Sequence, residues 1–243
     1  MRHELGTLFF IRRKKMKKGK RIEAILLATS LLFCVVACKS TAGDNGDKDK
    51  GNSIDKKTPV VVNIGDIAYS DGTVSENYDS TKKPVGIVFE VVDGYATKIV
   101  SLDQGYSLKW STRFDLTNAT SLTDGKANLE VIKAIEGWED KYPVFKWCDE
   151  YTDASNNSQW YLPAKDELNQ VYVAKEAINE AIEKITSEGG TATLLGEPPY
   201  WSSSELNYGS AWVQIISSIS NGTQYDGGKD LPISVRAIRA FNN

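Results

Sequence analysis

The residues best equipped for chemistry lie in three short stretches of a 243-residue chain. Ser202-Ser203-Ser204-Glu205 sets three hydroxyls beside a carboxylate. Asn207-Tyr208 adds an amide and a phenol, and Tyr225-Asp226-Gly227-Gly228-Lys229-Asp230 combines an aromatic ring, two carboxylates and an ammonium. A hydroxyl nucleophile needs a positioned base, most often histidine. The only histidine, His3, lies in the N-terminal extension, so the rest of the chain builds no Ser-His-Asp or Cys-His arrangement and lacks the commonest zinc ligand. Cys34 and Cys38 fall in the same extension and leave Cys148 without an intradomain partner. The sequence therefore predicts no catalytic residue, no metal site and no cofactor. Tyr, Ser, Asn and Gly side chains do offer adaptable contact at low entropy cost. Ser204, Asn207, Tyr208, Tyr225, Asp226, Lys229 and Asp230 are the candidate ligand-binding residues, for a glycan or a protein. Ser202 and Ser203 read instead as a turn that satisfies its own backbone. Asp226 and Asp230 do not have the spacing of a calcium-binding EF-hand loop.

Charge narrows the partners. Residues 1–38 hold nine of the 29 Lys/Arg and two of the 32 Asp/Glu, which leaves 20 basic against 30 acidic residues in the remainder. A body near −10 repels phosphate backbones, so nucleic acid is not expected as a partner.

The N-terminal stretch reads as an address. A basic run at 12–18 precedes an apolar stretch at 22–37, with Met16 an alternative start. The stretch ends Val35-Val36-Ala37-Cys38. This resembles a bacterial lipobox, with Val35 where Leu is preferred, and implies cleavage before Cys38 and lipid attachment to it. Residues 39–57 are Ser, Thr, Gly, Asn, Asp and Lys with one large apolar residue, Ile54, too little to fold on. They read as a disordered tether with a reach of about 24 Å. Acidic residues soon after the cysteine resemble the tethers of Bacteroidota-type surface lipoproteins. The expected order is a lipoprotein signal peptide at 1–38, a tether at 39–57 and a domain at 58–243. The expected location is the outer membrane, held by a lipid anchor.

Several elements must position the candidate residues. β-Branched residues at 59–69, then Asp71-Gly72, then 84–92 and 95–102 around Asp93-Gly94 predict a meander of short strands. Helices are expected at 126–136 and from Pro143, where Val144, Trp147, Cys148 and Tyr151 form one apolar stripe that buries the thiol. A central helix opens at Trp160-Tyr161-Leu162-Pro163, with Pro163 at its first turn and Asp166 and Glu167 near its positive end. It runs or kinks into a second amphipathic stretch at 176–186. Residues 200–209 read as a loop, 211–216 as a strand, 223–225 as a short strand between turns, and 233–241 as the last strand. Trp160, Trp201 and Trp212 are assigned to the core. Arg236 and Arg239, an odd number of positions apart, are expected on opposite strand faces, at least one buried against Glu167 or Glu205.

Four ordered segments carry a resemblance: Trp160-Tyr161-Leu162-Pro163-Ala164-Lys165-Asp166-Glu167-Leu168, Tyr200-Trp201-Ser202-Ser203-Ser204-Glu205, Ala211-Trp212, and Val235-Arg236-Ala237-Ile238-Arg239-Ala240-Phe241. With them the chain resembles the C-terminal domain of a collagen-like bacterial adhesin (the Lcl C-terminal type) and the related major paralogous domain of Fibrobacter. The resemblance implies an α+β, C-type-lectin-like fold, with two or more helices packed on twisted antiparallel sheets, and a binding role in adhesion rather than an enzyme. It also leaves open a structural envelope subunit, an enzyme of the formylglycine-generating kind and a variable receptor of diversity-generating retroelements. The chain departs from relatives in three ways. It has no disulfide pair and no Trp-Asn-Asp calcium motif, and Ala164 stands where many members carry a Ser or Thr cap.

Overall fold

A computed structural model describes residues 61–217 and 221–242, all within one compact unit. Cys38, the expected signal peptide at 1–38 and the expected tether at 39–57 lie outside the described residues.

The first sheet grows from two hairpins. β1 (Ile67–Tyr69) turns at Asp71-Gly72 into β2 (Val74–Ser75), and β3 (Pro84–Val92) turns into β4 (Tyr95–Val100). At the second turn Asp93 and Gly94 both take positive φ, the twist that closes a tight hairpin. β3 alternates little and is buried over most of its length, because it lies in the middle of the sheet.

β5 (Gly105–Leu108) opens a second sheet that the sequence did not announce. Three helices follow: α1 (Gly125–Lys133), α2 (Trp138–Lys141) and α3 (Pro143–Glu150). Asp124 caps α1 by accepting from the Ala127 N–H at 2.8 Å. Pro143 stands at the first turn of α3. Cys148 is fully buried on the inner stripe of α3, where desolvation holds its thiol well above the usual value.

α4 (Lys165–Val173) and α5 (Lys175–Ser187) meet at Ala174, which keeps helical φ and ψ near zero. The one amphipathic run therefore bends there instead of continuing straight. Pro163 does not occupy the first turn as expected, since the helix begins at Lys165 with Ala164 as its cap residue. Pro163 is buried before the helix, and its carbonyl accepts from the Ser203 N–H at 2.8 Å.

The second half completes both sheets. β6 (Tyr200–Glu205), β7 (Ser210–Gln214) and β8 (Gln224–Gly228) form an antiparallel run. β9 (Ile233–Val235) joins β6 in parallel and β5 in antiparallel, giving the order β5-β9-β6-β7-β8. β10 (Ile238–Ala240) instead pairs with β4, giving β10-β4-β3-β1-β2 in the first sheet. The expected single strand at 233–241 is thus two strands, separated at Arg236-Ala237 where the chain crosses between sheets. α4 packs on β6, β7 and β3, α5 on β3, α1 on β6 and α3 on β5. The architecture is α+β, with one antiparallel and one mixed sheet and five helices among the described residues.

Residues 200–205, expected to be a loop, are a fully buried central strand. Polar serines tolerate this position because each hydroxyl has a partner. Ser202 Oγ donates to the Trp212 carbonyl at 3.0 Å, and Ser203 Oγ accepts from Asn128 Nδ2 at 2.9 Å. Residues 226–228, read as a turn, belong to edge strand β8. The space beside Gly227 is already filled: a Cβ there would come within 2.6 Å of Val213 Cγ2 and 3.0 Å of the Trp201 ring.

Candidate functional site

Two buried carboxylates fix the frame on which the candidate residues stand. Glu167, in the first turn of α4, accepts from the Ala164 and Gly125 N–H groups, both at 2.9 Å, through Oε2. Its Oε1 takes the Tyr161 hydroxyl and lies 3.2 Å from Lys98 Nζ. The carboxylate so joins the starts of two helices to strand β4. Burial pushes the Tyr161 phenol strongly upward, and the neighbouring Glu167 charge adds to it. Glu205 ends β6. Its carboxylate accepts from the Thr117 and Asn118 N–H groups at 2.9 Å and meets Lys229 Nζ at 2.5 Å. The Lys229 ammonium also donates to the Asp115 carbonyl at 2.7 Å and stands 4.7 Å above the Trp110 ring.

Neither carboxylate serves the arginines, which corrects the expected pairing. Arg239 directs Nε and a terminal nitrogen at Asp153 Oδ2, at 3.2 and 3.1 Å, and stacks beside Trp160 and Phe241. Among the described residues Arg236 is in no ion pair with a carboxylate, though the Asp103 charge acts on it. It donates to the carbonyls of Ser101, Leu102 and Thr193, while its Nε is unpartnered and burial lowers its pKa. Both arginines are buried, because the crossing between sheets encloses them from two sides.

These frames decide which candidates reach solvent. Lys229 is fully buried in its pair with Glu205, so it is not available to a ligand. Ser204 is fully buried too. Its Oγ accepts from the Lys165 N–H at 2.9 Å and donates to the Ser121 carbonyl at 2.7 Å. It supplies from a neighbouring strand the helix cap that Ala164 lacks. Tyr225 and Asp226 are neighbours on β8 and so face opposite ways. Asp226 is exposed opposite Trp212, and Tyr225 lies half-buried opposite Val213. Trp212 itself is only partly buried, with Lys165 Nζ 4.2 Å above its ring, whereas Trp160 and Trp201 are enclosed.

Asn207, Tyr208 and Asp230 remain exposed, and the structure brings them to one pole. Asn207 Oδ1 accepts from the Gly209 and Ser210 N–H groups at 2.9 and 3.0 Å, shaping the β6–β7 turn. The Lys229 N–H donates to the Gly209 carbonyl at 3.0 Å and draws the β8–β9 turn alongside. Sequence reasoning missed the third contributor, segment 111–119. Its Phe114 meets Tyr208 edge to face at 6.4 Å, and its backbone is held by Glu205. Phe114 is 57% exposed, Tyr208 63% and Leu116 66%, and Leu206 and Leu231 are exposed as well. The run Phe114-Asp115-Leu116 in an otherwise polar stretch was the signal available. The pole offers apolar and aromatic contact but no nucleophile–base pair. Among the described residues no group of three or more His, Cys, Asp or Glu could hold a metal, and no helix is long and apolar enough to cross a membrane.

No protein-family model matches the chain, and no curated protein matches its sequence. Among solved structures the fold is similar to that of a fimbrial protein from Bacteroides ovatus, with a TM-score of 0.54 and 19% identity. The match covers 74% of this chain and 49% of that one, so this chain spans about half the length of that protein. The likeness is one of fold.

Proposed function

We propose that the chain is a non-catalytic recognition module displayed on the cell envelope, with the Phe114–Tyr208 pole as its working surface. The observation that carries this reading is the set of exposed apolar side chains on a foundation of buried, fully bonded charge. Large apolar groups left in water on a built surface mark interaction sites. The likeness to a fimbrial protein supports an envelope setting. The same proposal includes lipid attachment at Cys38, a tether at 39–57, a C-type-lectin-like domain at 58–243 and kinship with the adhesin family above. Helices packed on two sheets support the fold assignment. The acidic body favours a protein or a neutral glycan over a polyanion. An enzyme of the formylglycine-generating kind loses support, since it needs reactive cysteines and Cys148 is enclosed.

The test is binding of the full chain to arrays of envelope proteins and glycans, beside Phe114→Ala and Tyr208→Ala. Each substitution should weaken binding by about tenfold or more while melting is unchanged. If no partner on the arrays loses binding in either variant, the pole is refuted as the site. A second reading, a structural subunit of an envelope assembly, draws on the same apolar surface. It predicts concentration-dependent self-association in analytical ultracentrifugation that Tyr208→Ala abolishes.

A further inference from the structure

A second surface, separate from the pole, has the form of a ligand cleft. It runs between segment 81–85, which leads into β3, and the loop at 151–156 that follows α3. Two adjoining hollows of about 300 and about 530 Å³ share Lys82, Lys83 and Ala154. Such volumes are those of small-ligand sites, which run to about 300–1,000 Å³.

Both walls are held in place by bonds within the chain. On one side Asp153 Oδ1 accepts from the Ser155 N–H at 2.8 Å and the Asn157 N–H at 3.3 Å, while Oδ2 takes Arg239. This fixes the loop, with Asn156 at a positive φ and exposed at its tip. On the other side Lys82 is held by Asp71 at 3.0 Å and Thr73 at 2.7 Å, and Asp79 closes the turn through Thr81 at 2.6 Å. A preformed wall spares a ligand the cost of ordering it.

The chemistry of the lining selects the ligand. The Lys82 charge is matched by Asp71 and that of Asp153 by Arg239. That leaves one exposed ammonium, Lys83, and one exposed carboxylate, Asp103, neither in an ion pair among the described residues. Lys83 and Asp103 are of opposite sign, and Asp103 also faces the buried Arg236 charge, so no strong excess of either sign lines the cleft. What remains is a run of short polar side chains, Ser70, Thr81, Thr152, Ser155, Asn156 and Thr191, over a half-buried aromatic ring, Tyr151. Tyr151 is braced by Trp147 at 5.4 Å and Trp160 at 5.2 Å, so its ring position is set. The Ser70, Thr152 and Thr191 hydroxyls both donate and accept, those of Thr81 and Ser155 donate to Asp79 and Asp153 and so can only accept, an amide does both at fixed places, and an aromatic face takes the C–H side of a sugar ring.

We infer that this cleft binds a neutral oligosaccharide, with Tyr151 as the stacking surface and Asn156, Thr191 and Lys83 as hydrogen-bonding positions along it. The open trough suits a chain passing through it rather than a single enclosed sugar.

The test is calorimetric titration of the full chain with neutral hexasaccharides of glucose, xylose, mannose, galactose and N-acetylglucosamine, with oligogalacturonate as the acidic comparison. At least one neutral probe should bind. The Asn156→Gly/Thr191→Val double variant, with glycine free to keep the positive φ at 156, should weaken that binding by about tenfold or more, with melting unchanged. Lys83→Ala, on an exposed side chain, gives a second variant that does not threaten folding and should weaken it in the same direction. The inference is overturned if no neutral probe binds, if oligogalacturonate alone binds, or if neutral binding survives both variants.

Discussion

Lys229 Nζ lies 2.5 Å from Glu205 Oε1, and the two side chains are 0% and 1% exposed. This ion pair, at the junction of β6, segment 111–119 and the β8–β9 turn, anchors the Phe114–Tyr208 pole. The Glu205 carboxylate also satisfies the Thr117 and Asn118 N–H groups, so the charge has several partners in place of water.

Removing one side of the pair strands the other. Lys229→Met should cost about 3–5 kcal/mol in urea unfolding, because Glu205 is left charged and enclosed. Replacing both residues by apolar ones should recover only part of that, since the Thr117 and Asn118 donors lose their acceptor. A Lys229→Met cost under about 1 kcal/mol would show that the pair does not hold the pole.

Ser204 should behave as a cap and not as a binding residue. Ser204→Ala leaves the Lys165 N–H and the Ser121 carbonyl without their partner. The expected loss is about 1–2 kcal/mol of stability, with ligand affinity unchanged. Thermal unfolding and binding measured on the same preparation separate the two roles.

Gly125 is a packing requirement. A Cβ there would press on the Leu162 carbonyl oxygen, come within 2.8 Å of the Ala164 nitrogen and 2.9 Å of Glu167 Oε2. The first two are backbone atoms with little room to move. Gly125→Ala should destabilise by about 1–3 kcal/mol, even though alanine suits a helix better than glycine. A neutral or stabilising result in denaturant unfolding would show that the two helix starts separate easily.

Two aspartates give opposite pH slopes. Asp66 is buried, and desolvation raises its carboxyl above the ordinary 3.8, against the pull of the Asn63 N–H. The folded state there holds its proton more tightly than the unfolded one. The contribution of Asp66 is therefore full below the ordinary value and is lost as pH rises through the raised one. Asp71 is lowered to about 2 by Thr73 first and then Lys82. Its contribution is present above 3.8 and is lost as pH falls through about 2. Melting temperature followed from pH 7 downward should show the first slope vanish in Asp66→Asn and the second in Asp71→Asn.

Local signals were readable where local physics decides. Asp93-Gly94 set the β3–β4 turn, and the stripe through Val144 and Cys148 placed α3 and its buried thiol. Tyr200–Glu205 was not readable as a strand. Consecutive serines favour turns, and what overrides that preference is supplied by Asn128, Trp212 and Lys165 from elsewhere in the chain. The pairing of charges was hidden for the same reason. Arg239 found Asp153 in a stretch that reads as a polar loop, while Glu205 found a lysine that reads as exposed. Of the candidate pole, Asn207 and Tyr208 could be named in advance. Phe114 could not, since it reaches them through long-range bonds, those of Glu205 to Thr117 and Asn118 and those of Lys229 to Ser111 and Asp115.

The crossing at Arg236-Ala237 bears on how the domain is assembled in time. β9 links β5 to β6 in one sheet, and β10 lies against β4 in the other. A nascent chain that has not yet released these residues has a gap in one sheet and a bare flank on the other. Full pairing of both layers therefore waits on residues 233–240.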